Sequence, residues 1–322
     1  MHSDSVQVDE KDMNKASNIE KEFSVVEREM ALAQFDLVKI IENPVNGHQI
    51  YMKQVDCNNH EEFVKQIKFS KRRSKVTIKS INKYFDFTSM NQRHGFSKTV
   101  WVRHFFEIPK TYLSQVIQRN PAVSSSIFLT ELLYQMIETG VELQKVGLGH
   151  GFITPDYISF HEPTKFKLVD NFKYPSSFKM AQLEISERTF KYASPEVYQK
   201  VKSKESLDRT NMPKHDVFCL GLLMVDMALG ASDTQIYNDD GTFNFSVLKT
   251  RKEQFRKKFT DGFNSLLAYT VIENMLDYDH ATRLDWITLQ KRLPPYSDVQ
   301  QYFKDEYKIS SSMSCYQSNN IP

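Results

Sequence analysis

The periodicity of this chain changes once, near Pro109, and that change limits its possible folds more than any other feature. Before it, apolar and β-branched residues come in short runs at 23–27, 35–41, 49–55, 78–87 and 99–106. The stretch N-P-V-N-G at 43–47 supplies a turn between the second and third runs. Runs of this length, bounded by turn residues, read as strands. Residues 60–71 interrupt them with helical spacing through Phe63, Ile67 and Ser70. After Pro109 the pattern turns helical. Ser124 to Ser126 offer an N-cap, and Leu132, Leu133, Met136, Ile137 and Val141 keep a 3.6-residue period. A second apolar helix is predicted from Asp216 to Leu229, stopped by Gly230, with further helical segments near 250–277 and 285–292. Strands first and helices after predict an α+β chain in two parts.

Composition narrows the function classes. Hydrophobic residues make up 40% and charged residues 25% of the 322, which excludes a wholly disordered or fibrous chain. Lys and Arg total 42 against 40 Asp and Glu, so a net charge of +2 gives no global attraction to nucleic acid or anionic lipid. No apolar run approaches the roughly 18 residues needed to span a bilayer. Residues 1–22 are polar, without the apolar stretch of a signal peptide. Cys57, Cys219 and Cys315 are widely spaced and make neither a disulfide framework nor a metal cluster. A reduced, cytoplasmic protein is expected. Residues 1–22 and 297–322 are expected to be flexible tails around one domain at 23–296.

Five segments then follow in a fixed order. His150 opens H-G-F-I-T-P-D-Y, ending at Tyr157. Asp170 sits in K-L-V-D-N-F. Glu196 closes Y-A-S-P-E. Asp216 opens D-V-F-C-L-G on an apolar helix, and Arg283 follows M-L-D-Y-D. Their order and spacing closely resemble the C-terminal lobe of the eukaryotic protein kinase superfamily: catalytic loop, metal-binding Asp motif, A-P-E motif, the Asp of the following helix, and the Arg that pairs with the A-P-E Glu. The resemblance extends over about 23–296. It implies a bilobal protein-kinase-like fold, with a small β-rich N-lobe at about 23–106 and a larger helical C-lobe at about 109–296. On this template Lys53 falls at the strand Lys. Ala31, Ala33 and Asp36 fall at the three phosphate-loop glycines.

Departures from the pattern fall on the chemistry. The position of the catalytic Asp is Phe152, which has no lone pair for a substrate proton; such general-base help is worth about a hundred- to ten-thousand-fold. The loop Lys is Thr154, the metal-binding Asn is Tyr157, and the Glu that should face Lys53 is Gln66. Ala31 and Ala33 add a Cβ where backbone should approach phosphate, and Asp36 adds negative charge. At the adenine site Tyr51 replaces a small roof residue, Ser159 replaces an apolar floor, and Phe105 falls at the gatekeeper. Tyr51 is therefore expected to fill that slot itself. Lys53 and Asp170 are retained. Their expected role is a structural ion pair with each other, with phosphate and metal binding as the alternative. The scaffold residues His150, Asp216, Glu196 and Arg283 are kept: Asp216 should bond the backbone near His150, and Glu196 should pair with Arg283.

Scaffold retained and chemistry lost imply a pseudokinase, a protein-binding scaffold or allosteric regulator. No cofactor or metal is expected beyond weak ATP binding. Two alternatives remain open: a divergent active Ser/Thr-type kinase using Asp156 as base, and an ATP-binding sensor without turnover. The implied partner is a protein, such as an active kinase or an acidic surface, with no nucleic acid and no membrane span. Lys68, Arg72 and Arg73 lie in a basic run at 65–79 and form the candidate partner surface. A second basic run at 249–258 carries Phe255, which is expected to be a core residue beneath a solvated face.

Overall fold

The computed structural model describes residues 7–302, except 33–35, 95–96, 120–123, 162–164, 171–190, 204, 206–210, 231–235, 239 and 261. The fold is mixed α+β, as the change of periodicity predicts. β1 (Ser24–Leu32), β2 (Asp36–Glu42), β3 (Gln49–Asp56), β4 (Tyr84–His94) and β5 (Ser97–Glu107) form an antiparallel sheet in the order β1-β2-β3-β5-β4. Two short helices, α1 (Glu10–Met13) and α2 (Ile19–Glu22), precede it. Helix α3 (His60–Arg73) lies between β3 and β4; the Asn59 side chain caps it by accepting the Glu62 N–H at 2.8 Å.

This sheet is covered on both faces. Tyr51, Val102 and Phe106 point to one side and pack with Phe63 and Ile67 of α3. Ile41, Ile50, Met52 and Phe105 point to the other and pack with Ile19, Phe23 and Phe85. The segment from residue 7 onward corrects the expectation of a flexible tail at 1–22: Gln7, Asp9 and Asp12 lie against Lys71 of α3, Ile19 and Phe23 pack on the sheet, and residues 1–6 lie outside the described ones. Ser89 N donates to Lys15 O at 3.0 Å and Asn91 N to the Asn14 side chain at 3.0 Å, which occupies part of the free edge of β4. Lys15 and Ser17 both bond the Asp86 carboxylate, and Arg103 pairs with Glu20 at 2.8 Å. Polar composition misleads here, because most of these contacts are polar.

The helical part follows: α4 (Leu113–Arg119), α5 (Ser126–Lys145), α6 (Pro195–Lys202), α7 (Met212–Leu229), α8 (Phe245–Lys258), α9 (Gly262–Tyr269) and α10 (Trp286–Arg292). A π-helical turn at Thr270–Met275 continues α9. Helix α7 is apolar nearly all round because it is buried nearly all round, between α5, α8 and the π turn. Gly140 and Gly221 admit close packing: a Cβ at Gly140 would lie 2.3 Å from the Trp286 ring. A small antiparallel sheet is formed by β6 (Thr111–Tyr112), β7 (Ile158–His161) and β8 (Lys165–Leu168), in the order β6-β7-β8. It joins the large sheet's connection through Ile81, which bridges Leu168, and through Asn82 N donating to Leu168 O at 2.9 Å. Residues 296–302 are helical with Val299 buried, so 297–302 do not form the flexible tail expected there; residues 303–322 lie outside the described ones. Among the described residues no helix is long and apolar enough to cross a membrane.

Candidate functional site

Residues 148–157 form a buried loop held from two sides. Gly151 has φ +87°, in the left-handed region that favours glycine. Asp216 accepts the His150 N–H on Oδ2 and the Gly151 N–H on Oδ1, both at 2.7 Å. The neighbouring His215 completes the clamp: its Nε2–H donates to Gly151 O at 2.7 Å, and its Nδ1 accepts from the Ser194 hydroxyl at 2.8 Å. A carbonyl can only accept, so the tautomer follows from the geometry. On the other side His150 Nε2 donates to Val169 O at 2.8 Å. Burial pushes the Asp216 carboxyl up to about 7, against the two amides that lower it, and burial pushes His215 down to about 4. Glu196 takes a bidentate contact from Arg283 at 2.7 and 3.2 Å, and Arg283 also donates to Asp277 O and Tyr278 O. Both scaffold contacts expected from the sequence are thus made.

The loop's own side chains offer little chemistry. Phe152 is buried with its ring 6.2 Å from that of His215. Thr154 is buried, and its hydroxyl has no hydrogen-bond partner among the described residues. Tyr157 is buried, edge-on to His150 at 5.5 Å, and its carbonyl accepts Val169 N–H at 2.8 Å. Ser159, on β7, is buried and bonds His161 at 3.0 Å.

Asp170 does not pair as expected. Its two carboxylate oxygens are taken by Arg73, the last residue of α3, from Nε at 2.7 Å and Nη2 at 2.9 Å. Arg73 also donates to Val76 O at 3.1 Å and to Asn82 O. It is fully buried, which removes it from the expected partner surface. The physical reason is local: the end of α3 meets Asp170 and the backbone of Val76 and Asn82, a buried carboxylate and two carbonyls that need donors. Lys53 stands half-buried on β3 opposite His104, and the ion pair expected between Lys53 and Asp170 is replaced by that of Arg73. His104 is pushed down to about 3 by burial, with the Lys53 charge adding to the effect. Gln66 is buried on α3, but its side-chain oxygen has no partner among the described residues, so it does not accept from Lys53.

Tyr51 is fully buried and stacked on Phe106, with ring centroids 5.1 Å apart and planes 11° apart. Phe105, expected at the gatekeeper of the same site as Tyr51, faces the opposite side of the sheet. Side chains alternate along a strand, so Phe106 is the aromatic on the Tyr51 face. Ala31 lies on β1 opposite Leu37, Asp36 lies on β2 opposite Leu32, and Ala33 falls outside the described residues. Lys68 is exposed and Arg72 half-buried. Among the described residues no three His, Cys, Asp or Glu side chains gather as a metal site would need.

Sequence reasoning gave Arg73 a place on the partner surface and missed its buried role, and it missed His215 altogether. Nothing in the sequence separates Arg73 from the basic run around it. His215 had one available signal, its position beside Asp216. Compared with known proteins, the chain matches no family model and no curated sequence.

Proposed function

We infer that this chain is a bilobal, protein-kinase-like domain without phosphotransferase activity, working as a protein-binding scaffold or allosteric regulator. The observation that carries this reading is the engagement of both Asp170 oxygens by Arg73. Phosphoryl transfer asks for a metal on that carboxylate to bridge and neutralise phosphates. Here an internal cation holds it, in a buried bidentate geometry that a guanidinium fits well. Three further features point the same way: Phe152 in place of the general base, the unused Gln66 oxygen, and the Tyr51–Phe106 stack in the adenine position. These residues do not fit a nucleotide with its metal. The Asp216 clamp on His150 and Gly151, together with the Glu196–Arg283 pair, supports the kinase-like part of the reading.

Thermal unfolding with ATP, with and without Mg²⁺ or Mn²⁺, tests it. A ligand at a hundred times its Kd stabilises by about 2.7 kcal/mol, which moves a midpoint by several degrees. No shift is expected. A shift with ATP alone would favour the sensor, and a metal-dependent shift with phosphate transfer abolished by Lys53→Ala would establish an active kinase.

A further inference from the structure

The basic run at 65–79 separates into spent and unspent cations. Lys65 pairs with Glu61 at 2.8 Å, Lys71 with Asp12 at 2.8 Å, and Arg73 with Asp170 at 2.7 Å. Lys68, Arg72, Lys75 and Lys79 pair with no carboxylate among the described residues. Three of these are exposed, and Arg72 is half-buried. The three helical cations Lys68, Lys71 and Arg72 project within about 100° of one another at 3.6 residues per turn. Glu61 is seven residues before Lys68, about 10 Å along the axis, or about one screening length at physiological salt.

One position on this face is already filled, and its occupant is instructive. Lys71 Nζ donates to Gln7 O at 2.7 Å and to the Asp12 carboxylate at 2.8 Å, with Asp9 at 3.9 Å. The helix thus accepts an acidic segment of the chain itself, through both carboxylate and backbone carbonyl. Immediately beside it the unspent row runs from Lys68 to Arg72, then into the turn at Lys75. Arg72 reaches Gly147 at the end of α5: a Cβ there would be 3.9 Å from its guanidinium carbon.

We propose that Lys68, Arg72 and Lys75 form a docking strip for a second acidic, extended protein segment, supplied by a partner and lying beside the segment held by Lys71. The strip replaces the sequence-expected trio by exchanging buried Arg73 for exposed Lys75. Its features favour a polypeptide over a nucleic acid or a membrane. The large exposed hydrophobic residues, Val45, Phe245, Tyr269, Tyr278 and Tyr302, all lie elsewhere in the chain, so among the described residues none stands in the strip to stack a base or enter a bilayer. This surface serves the scaffold role proposed above and rests on that reading.

The test uses the full chain and a fluorescein-labelled deca-glutamate peptide, read by anisotropy at low salt. The wild type is expected to bind, and binding should weaken as salt rises. Lys68→Glu, Arg72→Glu and Lys75→Glu together should weaken it by about ten-fold or more while leaving the circular dichroism unchanged, and Lys68→Glu with Lys75→Glu, both exposed, should weaken it with the urea midpoint unchanged as well, since exposed charges rarely alter stability by more than about 0.5 kcal/mol. Lys249→Glu with Lys257→Glu, on exposed positions of α8, should change affinity by less than about two-fold. Absence of wild-type binding, or equal loss in the strip and α8 variants, overturns the strip. So does tighter, strip-dependent binding of a ten-nucleotide oligouridylate or of phosphatidylserine vesicles. The scaffold reading fails separately, through the metal–ATP shift described above, which leaves peptide binding untouched.

Discussion

Replacing Arg73 by Met should be among the most damaging single changes in this protein. Arg73 is fully buried, and its guanidinium makes four hydrogen bonds: two to Asp170, one to Val76 O and one to Asn82 O. Met keeps much of the volume and removes every donor, leaving the Asp170 carboxylate buried without its cation. Breaking a buried pair from one side costs about 3–5 kcal/mol, and the two orphaned carbonyls place this case toward the upper end. Total stabilities are about 5–15 kcal/mol, so the variant should sit near its folding threshold. Asp170→Leu should cost a similar amount, because Arg73 then becomes the unmatched charge. The double variant Arg73→Met with Asp170→Leu removes both charges and should be more stable than either single one.

Urea unfolding read by tryptophan fluorescence measures all three. Trp101 reports the large sheet and Trp286 the helical core. Midpoints should fall with unchanged slopes, and the double-mutant coupling should be about 2 kcal/mol or more in the rescuing direction. Single variants costing less than about 1 kcal/mol, or a double variant costing the sum of the two, would refute the view that the pair is the buried joint between α3 and Asp170.

Arg283→Ala should lose about 3–5 kcal/mol by the same logic, and express poorly. Burial raises the Glu196 carboxyl, but the Arg283 hydrogen bond and charge outweigh it and hold the group below its usual range. The stabilisation is therefore present above about pH 4.5 and lost as pH falls through the lowered folded value, so Glu196→Gln should flatten the acid limb of a stability–pH curve. Asp216 has the opposite sign: burial raises its folded value to about 7, so its contribution is full below about pH 3.8 and is lost as pH rises through about 7. The urea midpoint of wild type relative to Asp216→Asn should fall between pH 5 and 8, and a flat difference would show that the two amides outweigh burial.

Two contacts, Asp216 with the His150–Gly151 backbone and Glu196 with Arg283, were expected through the resemblance of five ordered motifs to a known family, not from spacing alone. The overall α+β order was legible because strand and helix periods differ. Phe105 was misplaced because β5 is covered on both faces, so Trp101 to Phe106 lack the polar–apolar alternation that fixes which side is inward. Arg73 was invisible for a different reason. A cation at a basic helix end is usually solvated, and only the partner brought from residue 170 makes this one a core residue. The segment at 7–22 was misread because much of its attachment is by hydrogen bonds and ion pairs, which leave no hydrophobic pattern.

On the proposed reading, one residue the sequence hid, Arg73, and one it disclosed, Tyr51, explain how the domain manages without its ligands. In an active kinase-like arrangement a metal and a nucleotide lie between the sheet and the helical part, neutralising Asp170 and filling the space under the strand roof. Here Arg73 neutralises Asp170 and Tyr51 fills the space against Phe106, both from within the chain. Arg73 does more than a metal would, because it belongs to α3 and also bonds Asn82 O in the connection leading to β4. One side chain therefore ties the helix, the connection and Asp170 together. A partner that docks on the outer row of α3, at Lys68 and Arg72, would press on a helix already fixed at its C-terminal end. Its effect would be to add a surface rather than to move the helix, which fits a scaffold better than a nucleotide-gated switch.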